Sequence, residues 1–337
     1  MTFTNNDINR MGSQPQPQSQ PQPQSQSQPQ PQSQPQSPSS HILLIFLDGF
    51  GLGRADHTNP LFVHGLPRFE KHVGVKLTEN VFVNKPGCLL KGIDACLGVD
   101  GIPQSATGQT SLLTGINAPK HLGYHLPAFP NPELVTLIQS KSILKQITDL
   151  GLTATFANAY TDTYFEKAAR RKYAHSVTTH CVLAANLPFR MTDDLRNNNA
   201  VYWDITRDHL VPLIEHITPV SPSDAGKHLA QITSTHAFTL YESFASDLCG
   251  HNADLFETTH LLDKIDLMLE STLASLDSNA TLLVCSDHGN IEDLTTGSHT
   301  VNKVPLIAIG PDAPFFTEVE RIDQVTGAIL HTFTKTY

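Results

Sequence analysis

The stretch HILLIFLDGFGLG, residues 41–53, decides the fold. From His41 to Leu47 the side chains are almost all apolar, and the run stops at Asp48-Gly49-Phe50-Gly51. An apolar run of this length, bounded by turn residues, reads as a central parallel strand buried on both faces. The glycines behind it let the chain turn sharply away from the strand end. Four further strand patterns follow, at 152–158, 237–242, 281–286 and 304–310. Helical patterns lie at 134–150, 224–235 and 253–276, and another at 322–333 closes the chain. In the longest, Leu255, Leu262, Ile265, Leu269 and Leu273 recur at helical spacing. Helices alternating with buried strands predict an α/β protein, a three-layer α/β/α sandwich with a mostly parallel central sheet.

The chain outside this core divides by composition. Residues 13–40 contain only Ser, Gln and Pro, with no charge and no apolar side chain. Such a stretch cannot bury enough surface to offset its ordering entropy, so residues 1–40 are expected to form a disordered head. That leaves 41–337 as one domain, into which residues of about 161–222 are expected to insert a small cap. The head holds one acid, Asp7, and one base, Arg10, so the formal charge of −10 belongs to the domain. An acidic domain is a poor partner for a nucleic-acid backbone. No run approaches the roughly 20 apolar residues of a membrane span, and the N-terminus lacks the pattern of a signal peptide. The five cysteines are scattered and odd in number, which suits reduced thiols in a cytoplasmic protein with no thiolate zinc site.

In an open parallel sheet, ligands bind beyond the carboxyl ends of the strands, and there the chain collects metal-capable side chains. The first strand ends at Asp48. The third runs into Asp247-Leu248-Cys249-Gly250-His251. The fourth ends at Asp287-His288-Gly289-Asn290, and His299 comes shortly before the last strand. Three carboxylates and three imidazoles at one sheet edge suit Zn²⁺ or Mn²⁺. The segment PQSATGQTSLLTG, 103–115, adds a short helix opened at Gln104 or Ser105, with Ser105 as N-cap, and closed by Gly115. A hydroxyl at a helix N-terminus lies beside free N–H groups and the positive dipole end, which favour a phosphate. Metal coordination would turn that hydroxyl into a nucleophile.

These motifs, in this order, resemble the alkaline phosphatase superfamily of metalloenzymes, and within it the branch that holds the cofactor-independent phosphoglycerate mutases and phosphopentomutases. Asp48-Gly49-Phe50-Gly51 is similar to the family's first metal Asp, and Ser105-Ala106-Thr107-Gly108-Gln109 to its nucleophile segment. Asp247 and His251 match its D-x-x-G-H pair, Asp287 to Asn290 its D-H-G-N pair, and His299 its last ligand. The likeness covers most of 41–160 and 224–337. It implies two divalent ions, Zn²⁺ or Mn²⁺, one held by Asp48, Ser105, Asp287 and His288, the other by Asp247, His251 and His299. It also implies that Ser105 attacks phosphorus, forming a phosphoserine that water or a second substrate hydroxyl then resolves. Two divalent ions stabilise both the attacking and the leaving oxygen of such a displacement.

The expected function is therefore metal-dependent hydrolysis of a small phosphate ester. A compact phosphomutase, or a catalytically silent metal-binding protein, is the alternative. The expected partner is a small phosphorylated substrate, with no nucleic acid and no membrane. A mutase of this branch carries a large domain between its nucleophile and the D-x-x-G-H pair. Here Ser105 and Asp247 are 142 residues apart, and part of that interval already belongs to the core. Arg170, Arg171, Arg190 and Arg196 are candidates for gripping a substrate phosphate, Arg170 and Arg171 first, and all four read equally well as surface charge. A sulfatase is excluded, because Ser105 is followed by neither Pro nor Arg at the positions that enzyme needs.

Overall fold

A computed structural model describes residues 40–170 and 174–334. At its centre is a seven-stranded sheet of β1 (His41–Leu47), β2 (Phe82–Lys85), β3 (Cys88–Ile93), β4 (Ala154–Phe156), β5 (Phe238–Ser243), β6 (Ala280–Cys285) and β7 (Val304–Ile309). The strand order is β2-β3-β7-β6-β1-β5-β4. Strand β1 is central and pairs in parallel with β5 and β6, and β4 joins β5 in parallel. Strands β7, β3 and β2 continue the sheet antiparallel, each to its neighbour. Five strands therefore run one way, and β7 and β2 run against them.

The apolar run of β1 is explained by its two buried faces. Ile42, Leu44 and Phe46 join one core cluster, together with Leu112, Ile138 and Ile329 from the helices on that side. Leu43, Ile45 and Leu47 join the other, together with Leu229, Ile265 and Leu269. Successive side chains of a strand alternate between faces, so a strand sandwiched by helices is apolar at every position.

The expected sandwich with a mostly parallel sheet is present, with differences in detail. The β2–β3 hairpin was not foreseen, because its sequence is short, mixed and edge-like; Lys91 of β3 pairs with Glu320. β7 is antiparallel because residues 286–303, which connect it to β6, contain no crossover helix. The 134–150 helix is two helices, Pro132–Lys141 and Ile143–Asp149, meeting at Ser142. Ser142 has extended ψ, and its hydroxyl accepts from the Lys145 N–H at 3.2 Å, starting the second helix as its cap. The last helix, Val325–Thr334, is entered through a single 3₁₀ turn, Ile322–Gln324.

The head expected over 1–40 lies outside the described residues except for Ser40, which is buried and donates to Asp312. Within the segment expected as a cap, the helix Val177–Ala184 sends Val177, Cys181 and Val182 into the main core. Leu195, Ala200, Leu210 and Ile217 gather with Ala159 in a small cluster of their own. No helix among the described residues is long and apolar enough to cross a membrane.

Two helices on one face are locked by a missing side chain. A Cβ on Gly226, in the helix Pro222–Thr233, would lie 2.5 Å from the Met268 carbonyl and 2.8 Å from the Thr272 nitrogen of the helix Leu255–Ser275. Alanine is the better helix former by roughly 1 kcal/mol, but overpacking costs about 1–3 kcal/mol. Gly226→Ala is thus expected to lower the melting temperature by several degrees. A rise in melting temperature would show that the two helices are not held at this distance.

Candidate metal centre and active site

The sheet register brings the first pair of acids together. Phe46 of β1 lies beside Cys285 of β6, and Leu47 beside Ser243 of β5. Asp48 and Asp287 therefore emerge at neighbouring strand ends. Gly49 turns the chain with φ of +68°, a conformation glycine adopts without strain. Local hydrogen bonds hold the exit: Ser246 donates to the Asp48 carbonyl at 2.6 Å, and the Phe50 N–H donates to Ser286 Oγ at 2.9 Å. The helix Ser105–Thr114 then approaches from the side. At Gly108 an added Cβ would lie 2.8 Å from the Asp287 carbonyl, so only glycine lets the helix come this close.

This approach sets Ser105 against His288. Ser105 Oγ lies 3.0 Å from His288 Nε2, which also lies 3.2 Å from Asp48 Oδ1 and 3.5 Å from Asp287 Oδ2. Gln109, one turn after Ser105, donates to Asp48 Oδ2 at 3.0 Å. Ser105 is the first helical residue, and the cap position belongs to Gln104. This corrects the expectation of a Ser105 cap: its hydroxyl turns away from the helix and toward the acids.

The second cluster lies beside the first. Asp247 and His251 occupy one face of the helix Ala245–Asn252, an i, i+4 pair. His299 comes from the loop before β7. Its Nε2 is 3.4 Å from Asp247 Oδ1 and 3.1 Å from His251 Nε2, and His251 Nε2 is 3.4 Å from Asp247 Oδ2. The His288 and His299 rings stack at 3.7 Å and link the two clusters.

The donor atoms are arranged to receive cations. His251 Nδ1 lies 3.2 Å from the Gly297 carbonyl, and His299 Nδ1 lies 2.9 Å from the Pro103 carbonyl. A carbonyl only accepts, so each Nδ1 donates to it, and each Nε2 is turned to the same point beside a carboxylate. In the first cluster, Asp48 Oδ1 and Asp287 Oδ2 are buried with no aligned donor among the described residues. Buried carboxylate oxygens of this kind are costly unless something positive meets them. Asp48, Asp287 and His288, and separately Asp247, His251 and His299, each gather their ligand atoms within 4.8 Å of one another. These residues fit a divalent ion in each cluster.

Charge effects point the same way. Burial, and then Asp48, push Asp287 well above the usual carboxylate range. Burial works against a charge on His288, but Asp287 and Asp48 outweigh it and push the ring up to about 10. Burial raises Asp247, yet the hydrogen bonds from His299 and Asn290 and the His288 charge bring it down to about 2. The cluster thus draws positive charge to itself even when protons are the only source.

Two site residues were not singled out from the sequence. Asn290 donates to Asp247 Oδ1 at 2.7 Å, and its position two residues after His288 was the available signal. Glu292 is buried and accepts from the N–H groups of Gly51 and Asn290 at 3.1 and 2.7 Å, from Asn302 at 3.0 Å and from Thr300. It ties the loops after β1 and β6 to the His299 loop. The expected phosphate grips are not at the centre. Arg170 caps the helix Asp162–Ala169 and is exposed, and Arg171 lies outside the described residues. Arg190 donates to Thr155 and Asn199, away from the clusters.

A cavity of about 560 Å³ opens onto the clusters, with Asp48, Ser105, Gln109 and Asp247 in its lining. Its lining includes Glu242, a buried acid that accepts from Thr178 at 2.7 Å. Burial, assisted by Asp48, pushes Glu242 up to about 8.

Comparison with known proteins agrees with this architecture. A family model described as Metalloenzyme superfamily matches residues 217–335. A 2,3-bisphosphoglycerate-independent phosphoglycerate mutase of Coxiella burnetii is 36% identical over 93 residues, 25% of this chain and 18% of that protein. The mutase of the same name from Pyropia yezoensis is 35% identical over 155 residues, 43% of this chain and 27% of that one. The matched region thus spans well under a third of either relative. Among solved structures, the PH0037 protein of Pyrococcus horikoshii superposes with a TM-score of 0.54 at 12% identity, covering 88% of this chain and 98% of that one. Alkaline phosphatase from the Antarctic bacterium TAB5 superposes with a TM-score of 0.52 at 16% identity, covering 90% and 100%. At these identities the two structures speak for the fold alone. The family match over the C-terminal part of the chain, the mutase relatives and the shared fold are together consistent with the alkaline phosphatase superfamily of metalloenzymes.

Proposed function

We propose that this protein is a two-metal phosphohydrolase that cleaves a small phosphate ester through a phosphoserine at Ser105. The observation that carries the reading is the placement of Ser105. Its hydroxyl sits at the start of a helix, 3.0 Å from His288 Nε2, in the lining of the cavity that Asp48 and Asp247 share. Asp48, Ser105, Asp287 and His288 would hold one ion, and Asp247, His251 and His299 the other. Such ions, Zn²⁺ or Mn²⁺, supply Lewis acidity that favours the Ser105 alkoxide and neutralises charge on the phosphoryl oxygens.

The residues of the chain do the rest. Gln109 holds Asp48 Oδ2 and so fixes which carboxylate oxygen faces His288. The first-turn N–H groups of the Ser105 helix lack partners within the helix and point toward an arriving phosphate. Asn290 keeps Asp247 oriented. Hydrolysis is favoured over the mutase reaction because no Lys or Arg lines the cavity among the described residues. A mutase has to retain an anionic product while it turns over.

Two outcomes follow. Ser105→Ala is expected to cut phosphate release by at least about three orders of magnitude while metal content, measured by elemental analysis, is kept. Retention of more than about a tenth of the activity would exclude Ser105 as nucleophile. Metal binding should also stabilise the fold, by about 2.7 kcal/mol at a hundredfold excess over the dissociation constant. Adding Mn²⁺ or Zn²⁺ to stripped protein should therefore raise the melting temperature by several degrees. Asp287→Asn should lose most of that rise and, in chelator, melt at or above the wild type, since it removes a repulsive carboxylate. Equal responses of the two proteins to metal would contradict the role given to Asp287.

A further inference from the structure

The cavity that opens onto the metal-capable clusters is lined in large part by rings. Trp203 stacks on Phe244 at 4.1 Å with 19° between the planes. Tyr160 packs on Tyr164 at 5.0 Å, and both hydroxyls meet Thr179 Oγ1, at 2.8 and 3.1 Å. Phe129 and Leu248 line the same cavity while 48% and 46% exposed. Trp203 and Phe244 brace each other, and Thr179 ties the two tyrosines, so these four rings form a packed surface. A volume of about 560 Å³ exceeds what a phosphoryl group and a short polar chain would fill, and lies in the range of small-molecule sites.

Resting on the phosphohydrolase reading above, we propose that the ester cleaved here carries an aromatic alcohol, its ring seated against Trp203, Phe244 and Tyr164 while its phosphoryl group lies at Ser105. Flat, apolar ring faces gain from offset or edge contacts with such a wall and from leaving water. An anionic alcohol such as glycerate would meet no described basic side chain there. A cationic alcohol would have to use Glu242, which is 8% exposed and already occupied by Thr178. In the step itself, the Ser105 oxygen bonds to phosphorus and the ester P–O bond breaks. The departing alcohol oxygen takes up a proton, and water later replaces Ser105 at phosphorus to give inorganic phosphate.

The test compares 2-phenylethyl phosphate with ethyl phosphate, two alkyl esters whose leaving groups are of similar strength. Trp203 is the only tryptophan in the chain, so its fluorescence reports on this wall directly. In the full-length Ser105→Ala protein, 2-phenylethyl phosphate should give a saturable change at concentrations where ethyl phosphate, phosphocholine and 3-phosphoglycerate give none. In the Mn²⁺-loaded wild type, kcat/KM for the phenylethyl ester should exceed that for the ethyl ester by at least about tenfold, the order that burying one ring supports. Trp203→Leu should bring that ratio toward one. Equal fluorescence responses, a kcat/KM ratio near one, or a stronger response to phosphocholine or 3-phosphoglycerate would overturn the proposal. Phosphate release without any preference would sink the aromatic site and leave the phosphohydrolase standing. Selective binding with no release from any ester would do the reverse.

Discussion

Asp48 and Asp287 emerge side by side from the two strands at the centre of the sheet, and among the described residues no Lys or Arg pairs with either. Their Oδ1 and Oδ2 atoms, respectively, are buried without an aligned donor. Taking two carboxylates out of water in this way costs several kcal/mol each unless positive charge compensates. The surrounding structure is arranged around that need. His288 leans into the pair, Ser105 reaches it from a helix seated on Gly108, and Gln109 satisfies the one oxygen that faces away. A divalent ion meets the same need more completely than a proton on His288, since it brings two charges and several coordination positions.

Rigidity at this edge comes from groups that never face the cavity centre. The imidazoles of His251 and His299 are held by backbone carbonyls at Nδ1, which sets the direction of both Nε2 atoms. Glu292 gathers the loops after β1 and β6 and the His299 loop into one hydrogen-bonded unit. Metal ligands need such outer partners to keep orientation and tautomer. The consequence is a centre whose donor atoms converge before a metal binds. In the proposed reading, substrate choice is then left to the rings that line the same cavity.

Much of the centre was legible because strand ends are legible. An unbroken apolar run that stops at a polar residue names both a buried strand and the position where a ligand would sit. That logic located Asp48, Asp287 and His288. Asp247 and His251 were singled out by spacing, and they stand on the helix Ala245–Asn252, Asp247 three residues beyond its cap Phe244, rather than at a strand end. β2 and β3 escaped because an edge hairpin needs no apolar run, and the reversed β7 escaped because direction depends on what the connecting loop does. Ser105 stands at the first helical position and not at the cap; a hydroxyl at either position looks alike in sequence. The aromatic wall was illegible for a simpler reason. Phe129, Tyr160, Trp203 and Phe244 come from separate segments, and nothing local relates them. Glu292 carried only the weak signal of standing near a D-H-G-N motif.

The claim on which the rest depends is that this sheet edge holds two divalent ions, one in each cluster. Elemental analysis of purified, dialysed protein after loading with Mn²⁺ or Zn²⁺ tests it directly. The wild type is expected to retain about two ions per chain, and Asp287→Ala and His251→Ala about one each, since each breaks one three-residue cluster and spares the other. A wild type that retains none, or a double variant that still retains two, would contradict the account.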